Sequence, residues 1–511
     1  MNRVYEKFAS FINITFLFVS ILMLYFSLRS PIFDIQNLTP LVFFITIISL
    51  IIFGVLIINK KSRLFLINHF NKLKNAFVKD IGKNSIKLFI IAVVLQIIII
   101  INISTPIGWD VGAIFKGVKD TLVGETISIS GYLSRYPNNS LYFFIMLNVT
   151  KLGNFIHSGI GNTWMFWQLF NIFIIDVGVV LFFFGISKIF NKSFSYISTY
   201  ALAITVMLSP HILVPYTDTF SLSITCIIIF VFGCIGSVEK INNKILLVIL
   251  LSALSVFSYL LKPTGIIFVI AFILVFFLNI KKSSKQKICL VFIFLALLFS
   301  FTKIANNQIY NQDIIDYDSE KKIPLTHWVM MGLKGNGGYN REDVNMTASF
   351  KSYDQKKEYT IDQINLRLKE KGFLGYIKFL FNKLNYNVSR GDFSWGLGGE
   401  ANLKSNLKSN NVVQAFLRDT YYSDGDNVKN SRFYMQFLWI IGILGMILST
   451  LKVGCIDNKL VVCKTAFLGG LLFLLIFEGG RSRYLIQFIP IYILISVMGY
   501  YRISNIKKNL M

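Results

Sequence analysis

The sequence predicts an all-α polytopic membrane protein with about twelve transmembrane helices. Three observations carry that reading. Apolar runs recur along most of the 511 residues, and about 20 residues suffice for one bilayer crossing. Only 15% of residues are charged, against about 25% in ordinary soluble proteins. Lys and Arg collect in short stretches between the apolar runs, as the positive-inside rule expects. Hydrophobic residues make up 54% of the chain, 49 of them Phe. A soluble enzyme and a nucleic-acid-binding protein are both excluded. The net charge of +25, from 51 basic and 26 acidic residues, is read as a topological signal.

Apolar segments fall near 11–27, 40–58, 88–105, 140–152, 164–186, 195–210, 218–235, 243–260, 264–280, 287–302, 433–450, 465–477 and 485–501. The first follows Arg3 and Lys7 like a signal peptide, but it ends at Ser27-Leu28-Arg29-Ser30-Pro31 without a small-x-small cleavage site. It is therefore read as a retained helix. The stretch 59–87 carries Lys60, Lys61, Arg63, Lys72, Lys74, Lys79, Lys83 and Lys87, and 281–287 carries Lys281, Lys282, Lys285 and Lys287. Both should be cytoplasmic, with the tail at Arg502, Lys507 and Lys508 and both termini on the same side. The opposite, external side then receives 106–138, 211–217, 261–263, 303–432 and 478–484. A parity conflict remains between 138 and the basic residues Lys188 and Lys192. It disappears if the segment 140–152, short for a span, dips in without crossing; otherwise the segment boundaries or the side assigned to 187–194 must change.

Four regions follow. Residues 1–87 form a two-helix extension with a basic loop, and 88–302 a transmembrane core whose first external loop is 106–138. Residues 303–432 form an external α-rich domain, and 433–511 the C-terminal helices. The region 303–432 holds 15 of the 26 acidic residues and is too long for an idle connection. Stretches such as Tyr359–Lys371 look helical. The five cysteines, Cys226, Cys234, Cys289, Cys455 and Cys463, form no CxxC pair and no zinc signature.

The sharpest chemical feature is Thr105-Pro106-Ile107-Gly108-Trp109-Asp110-Val111-Gly112. A carboxylate just beyond a membrane helix is partly desolvated, which suits a general base. The other reading makes Asp110 a helix cap. Val111, Ile114, Phe115 and Val118 then fall on one helical face and Lys116, Lys119 and Asp120 on the other, a short amphipathic helix at the surface. Arg135 and Tyr136 precede the turn residues Pro137-Asn138-Asn139. Arg135 is read as an anion ligand or a solvated interfacial residue.

Asp218 and Lys262 are single charges amid apolar sequence, costly unless they face a polar cavity or snorkel. His327 and Trp328 open the long polar region; His327 is read as a phosphate or sugar ligand or as a packed residue. Asp392-Phe393-Ser394-Trp395-Gly396 and Glu400 could border a sugar ring. Asp176, inside an apolar segment, is read as a polar contact between helices. Last comes Phe477-Glu478-Gly479-Gly480-Arg481-Ser482-Arg483-Tyr484. Two Arg on the external side break the charge rule, and the guanidinium fork matches phosphate oxygens.

Taken in order, these motifs resemble the GT-C superfamily of integral membrane glycosyltransferases. Glu478…Arg481-Ser-Arg-Tyr484…Pro490 resembles the late motif of the protein O-mannosyltransferase and aminoarabinose transferase branch, and Gly108-Trp109-Asp110 stands where that branch keeps its acidic motif. Tyr216-Thr-Asp-Thr219, Lys262-Pro-Thr264 and His327-Trp-Val-Met-Met-Gly332 look like predicted Gram-positive membrane glycosyltransferases associated with an exosortase. The resemblance spans roughly 88–490. It implies a GT-C-like bundle and inverting transfer of a sugar from a polyprenyl-phosphate donor, such as undecaprenyl phosphate, to a cell-envelope acceptor outside the plasma membrane. By that resemblance Asp110 is the general base. Arg481, Arg483, Lys262 and His327 hold the donor phosphate, and Trp109, Arg135, Tyr136, Asp218, Trp328, Glu478 and Tyr484 line the substrate. The acceptor class stays open among teichoic acid, polysaccharide and protein. Some relatives bind a divalent metal, but no ligand cluster in this sequence calls for one, and no cofactor is required. Two departures stand out: Asp110 has no second acid beside it, and two helices precede residue 88. A transporter or flippase for lipid-linked saccharides, or a polymerase, is the alternative. A transporter usually shows two related halves, which this chain lacks.

Overall fold

The computed structural model describes residues 3–280, 284–397, 409–451 and 457–509. Lys281, Lys282, Glu400 and Cys455 lie outside these described residues. No β-strand occurs among them. The helices are α1 (Arg3–Leu28), α2 (Pro40–Ile58), α3 (Lys60–Lys79), α4 (Ile81–Ile103), α5 (Trp109–Leu122), α6 (Ile127–Arg135), α7 (Ser140–Ile156), α8 (Trp164–Ile189), α9 (Lys192–Val206) and α10 (Thr217–Ser237). They continue with α11 (Ile241–Leu261), α12 (Ile267–Leu278), α13 (Lys285–Tyr310), α14 (Leu325–Met331), α15 (Arg341–Ser349), α16 (Tyr353–Val388), α17 (Val412–Tyr421), α18 (Val428–Leu448), α19 (Asn458–Ile476) and α20 (Ile489–Asn509). The chain is a multi-pass membrane protein. Among the described residues nine helices are long and apolar enough to span a bilayer.

Side-chain bonds sort the helix ends into two levels. At one end Tyr5 of α1 donates to Asn458 of α19 at 2.6 Å, Asn191 donates to Tyr501 of α20 at 3.0 Å, and Lys459 donates to the Ile189 carbonyl at 2.6 Å. At the other end Gln168 of α8 donates to the carbonyls of Thr105 (3.0 Å) and Leu213 (2.8 Å), and Thr264 donates to Gln487 at 2.6 Å. Following the chain between these levels, α1, α2, α4, α8 to α13 and α18 to α20 alternate in direction. Among the described residues that makes twelve traverses, in line with the roughly twelve expected; α2, α9 and α12 supplement the nine long spans.

Helix α7 resolves the parity conflict. Near its start the Tyr142 phenol donates to the Pro215 carbonyl, and farther along Thr150 accepts from Trp167 at 3.0 Å. Pro215 and Trp167 both lie at the Thr105–Leu213 level, so α7 begins and ends on one side. Asn148, Lys151 and Asn154 break its apolar length. Amphipathic α5 forms as expected. Its stripe of Val111, Ile114, Phe115 and Val118 is buried in protein, with Phe115 stacked on Trp164 at 4.0 Å.

The centre of the bundle is the α8–α10 pair. A Cβ at Gly185 would stand 2.6 Å from the Phe230 Cα, and one at Gly233 would stand 2.6 Å from the Gly185 carbonyl oxygen. Small residues let the two backbones touch where lipid supplies no hydrophobic drive between helices. On neighbouring faces, Asp176 of α8 lies beside Gln96 of α4.

The polar region is partly built into the bundle. Helix α16 starts with a capping box at Ser352 and Gln355 and kinks at Gly372, φ 58°. Its second arm ends where the Val388 carbonyl accepts from Trp439 (2.8 Å) and Ser27 (3.2 Å). Gly391 then donates to Gln436 of α18 at 2.6 Å. Asp392, Phe393 and Trp395 are buried, which corrects the expectation that this stretch borders a sugar.

The charge pattern expects Glu125→Cys, in the exposed α5–α6 turn, to react with an impermeant maleimide on intact cells, and Glu239→Cys only after permeabilisation. The reverse pattern in a labelling gel would invert the orientation. Ser482 is unsuited to this test because it is fully buried.

Candidate active site

The site begins at an unfavourable backbone. Gly108 stands extended at the N-cap of α5, and Trp109 has φ 46°, a conformation rare for a bulky residue. This turn places Asp110 in the first helical turn. The carboxylate does not act as the N-cap, a position Gly108 fills. Its Oδ1 accepts from the Tyr132 phenol at 2.7 Å and its Oδ2 from the Tyr216 phenol at 3.0 Å. Asn139 closes the ring: its Nδ2 donates to the Tyr132 oxygen at 2.8 Å, and its Oδ1 lies 3.2 Å from the Tyr216 oxygen. Burial, reinforced by the Asp110 charge, pushes both tyrosines well above the ordinary phenol range. They therefore remain protonated donors, and Asp110 is held by two segments distant in sequence.

The cations gather beside this ring. Asp218, in the first turn of α10, forms an ion pair with Lys262 and lies 3.4 Å from Nε of Arg483. Lys262 ends α11 directly before Pro263. The Arg483 guanidinium stacks 4.1 Å from the Trp109 ring centre, and the Lys262 ammonium lies 5.1 Å from that of Tyr484. The Tyr484 phenol donates to Glu478 at 2.7 Å. Burial raises the Glu478 carboxyl above its ordinary range, with Tyr484, Arg481 and Arg483 opposing and Asp110 reinforcing the rise. Asp110, Glu478 and both arginines thus share one electrostatic neighbourhood. The three carboxylates and three cations here balance in formal charge.

Of the residues singled out in the sequence, Trp109, Asp110, Asp218, Lys262, Glu478, Arg481, Arg483 and Tyr484 come together. Tyr136 lies next to this group, 5.3 Å from the Tyr132 ring and 6.3 Å from that of Trp328, with Arg135 exposed beside it. His327 is fully buried, its Nδ1 2.8 Å from the Thr347 hydroxyl, and burial lowers its pKa to about 4. The ring is neutral at pH 7, so it brings no cation to the cluster. Sequence reasoning missed Tyr132 and the role of Asn139. Tyr216 was noticed only as part of a motif. The available signal was the Tyr132–Tyr136 spacing on the helix leading into Pro137-Asn138-Asn139.

An apolar groove of about 500 Å³ opens between α7, α11 and α13, lined by Leu141, Phe144, Val256, Leu260, Phe301 and Ile309 among others. Its lining helices α7 and α11 are the ones whose ends carry Asn139 and Lys262, although neither residue lines the groove. Among the described residues, no group of three or more His, Cys, Asp or Glu side chains is arranged to hold a metal ion.

A family model described as conserved hypothetical integral membrane protein matches residues 4–503. Two solved structures are similar at low level. One is ArnT from Cupriavidus metallidurans in the apo state, 12% identical over 83% of this chain and 78% of that chain, TM-score 0.34. The other is the same protein bound to undecaprenyl phosphate, 12% identical with the same coverage, TM-score 0.33. No curated protein matches.

Asp218→Asn would leave buried Arg483 and part-buried Lys262 without their carboxylate and should destabilise the protein by about 3 kcal/mol, read from melting in detergent. Glu478 has a second, pH-dependent signature. A carboxyl whose pKa rises on folding loses stability as pH climbs from its unfolded to its folded value. Melting temperature should therefore fall across that window, and Glu478→Gln should remove this component of the slope.

Proposed function

The chain belongs to the integral membrane protein family whose model spans residues 4–503, and from its site we propose that it is a lipid-linked-sugar glycosyltransferase. It moves a sugar from a polyprenyl-phosphate donor to a cell-envelope acceptor on the outer face of the plasma membrane. The observation that carries this reading is the gathering of Asp110, Lys262, Arg481 and Arg483 in one charged cluster. The motif resemblance supports it independently of that geometry. Undecaprenyl phosphate, the carrier implied by the motif resemblance, is the probe for this chain.

In this mechanism the groove takes the polyprenyl tail and presents the phosphate to the cations. Asp110 removes the proton from the acceptor hydroxyl, with Tyr132 and Tyr216 fixing the carboxylate's direction. The acceptor oxygen attacks the anomeric carbon from the face opposite the phosphate, so the configuration inverts. The bond from the anomeric carbon to the phosphate oxygen breaks, and its electron pair leaves with the lipid phosphate. Lys262 and Arg481 stabilise that growing charge, because fixed cations in a water-poor site need little reorganisation. Arg483, buried under Trp109, holds the geometry from behind.

Asp110→Asn should abolish transfer of radiolabelled sugar from a polyprenyl-phosphate donor while the protein still inserts and melts normally; full transfer by that variant would remove Asp110 as the base. Arg481→Ala and Lys262→Met should each lower transfer by about a hundredfold to a thousandfold, the range for losing one charge-stabilising group. Unchanged kinetics in both would move the phosphate elsewhere.

A further inference from the structure

Lys383, on the second arm of α16, is fully buried. Its ammonium donates to the carbonyls of Gly332 (2.7 Å), Phe477 (2.6 Å) and Leu475 (3.1 Å). An ammonium has three donors and no acceptor, and here all three are used. Two of the carbonyls lie at the C-terminal end of α19, where helical carbonyls lack partners and positive charge is favoured.

The lysine stem is fitted as closely as its head. A Cβ at Gly337, where φ is 82°, would fall 2.4 Å from Lys383 Cε and 2.5 Å from Cδ; one at Gly479 would fall 3.2 Å from Cε. The stem therefore runs between two glycines. Around it Gly479 donates to the Gly337 carbonyl at 2.8 Å, and Gly480 donates to Asn387 at 2.7 Å. Burial lowers the Lys383 pKa to about 7, while the three carbonyl dipoles favour the proton staying.

We propose that Lys383 is a positioning residue for the reaction. It joins the turn after α14 to the end of α19 and so sets the segment Glu478 to Arg483 in place. Arg481 follows this anchor directly, and Ser482 is held from the same region by Ser394, whose hydroxyl lies 2.8 Å from its own. The polar region thus acts as a jig for the cations. The activity arm of the test rests on the transferase reading; the exchange arm does not.

The experiment uses the full-length protein in nanodiscs. Lys383→Met keeps the stem and drops the ammonium. Amide exchange should rise at least tenfold in 332–338 and 477–483 together, and the KM for an undecaprenyl-phosphate-linked sugar should rise more than kcat falls. Lys383→Ala leaves a space the size of propylammonium, and millimolar propylammonium should restore protection and KM in that variant but not in Lys383→Met. Unchanged exchange in both segments of either variant would overturn the proposal, as would a kcat loss with unchanged KM. If Lys383→Met does not fold, the Lys383→Ala rescue decides. A wild-type protein with no transfer at all would sink the transferase reading, while exchange would still judge the anchor.

Discussion

One buried guanidinium ties the site together. Arg483 stacks on Trp109 from α5 and lies against Asp218 from α10, and Asp218 in turn holds Lys262 from α11. A charge taken out of water is costly until a partner and hydrogen bonds surround it. Here each partner comes from a different part of the chain, so the cluster exists only when the bundle is complete. That constraint also explains the strained turn. A bulky residue at φ 46° costs about 1–3 kcal/mol, and Trp109 recovers contact on both sides, with the guanidinium on one and the Tyr216 ring 5.5 Å away on another.

The long spans were legible because apolar length is a local property. The twelve traverses, the α5 stripe and a helix across Tyr359–Lys371 all follow from it. Direction was less legible. The segment 140–152 is apolar but short for a span, and the sequence leaves open whether it crosses; its contacts with Pro215 and Trp167 keep it on one side.

The site was legible in its charged members and only in part in its neutral ones, Trp109 and Tyr484 being found and Tyr132 missed. A lone carboxylate or arginine at a membrane boundary demands a reason. A tyrosine there does not, because aromatic residues are common at interfaces. Tyr132 and Tyr216 stand 22 and 106 residues from Asp110, beyond any local pattern. Asp392 and its aromatic neighbours misled in the opposite direction. They look like a sugar platform, but the strained Phe393 and Ser394 (φ 51° and 58°) turn inward, and Ser394 braces Ser482. Burial changes His327 in the same way, turning an apparent ligand into a neutral ring packed on Thr347.

Because α7 returns to the side it started from, everything between α4 and α8 must be placed on one side of the membrane during biosynthesis. The insertion machinery meets a 17-residue apolar helix there and has to decline it as an anchor. Asn148, Lys151 and Asn154 raise the cost of releasing that helix sideways into lipid. A more oily α7 would be retained, and every later helix would be threaded in the opposite sense. The polar residues along α7 thus disfavour that helix as a lipid-facing span.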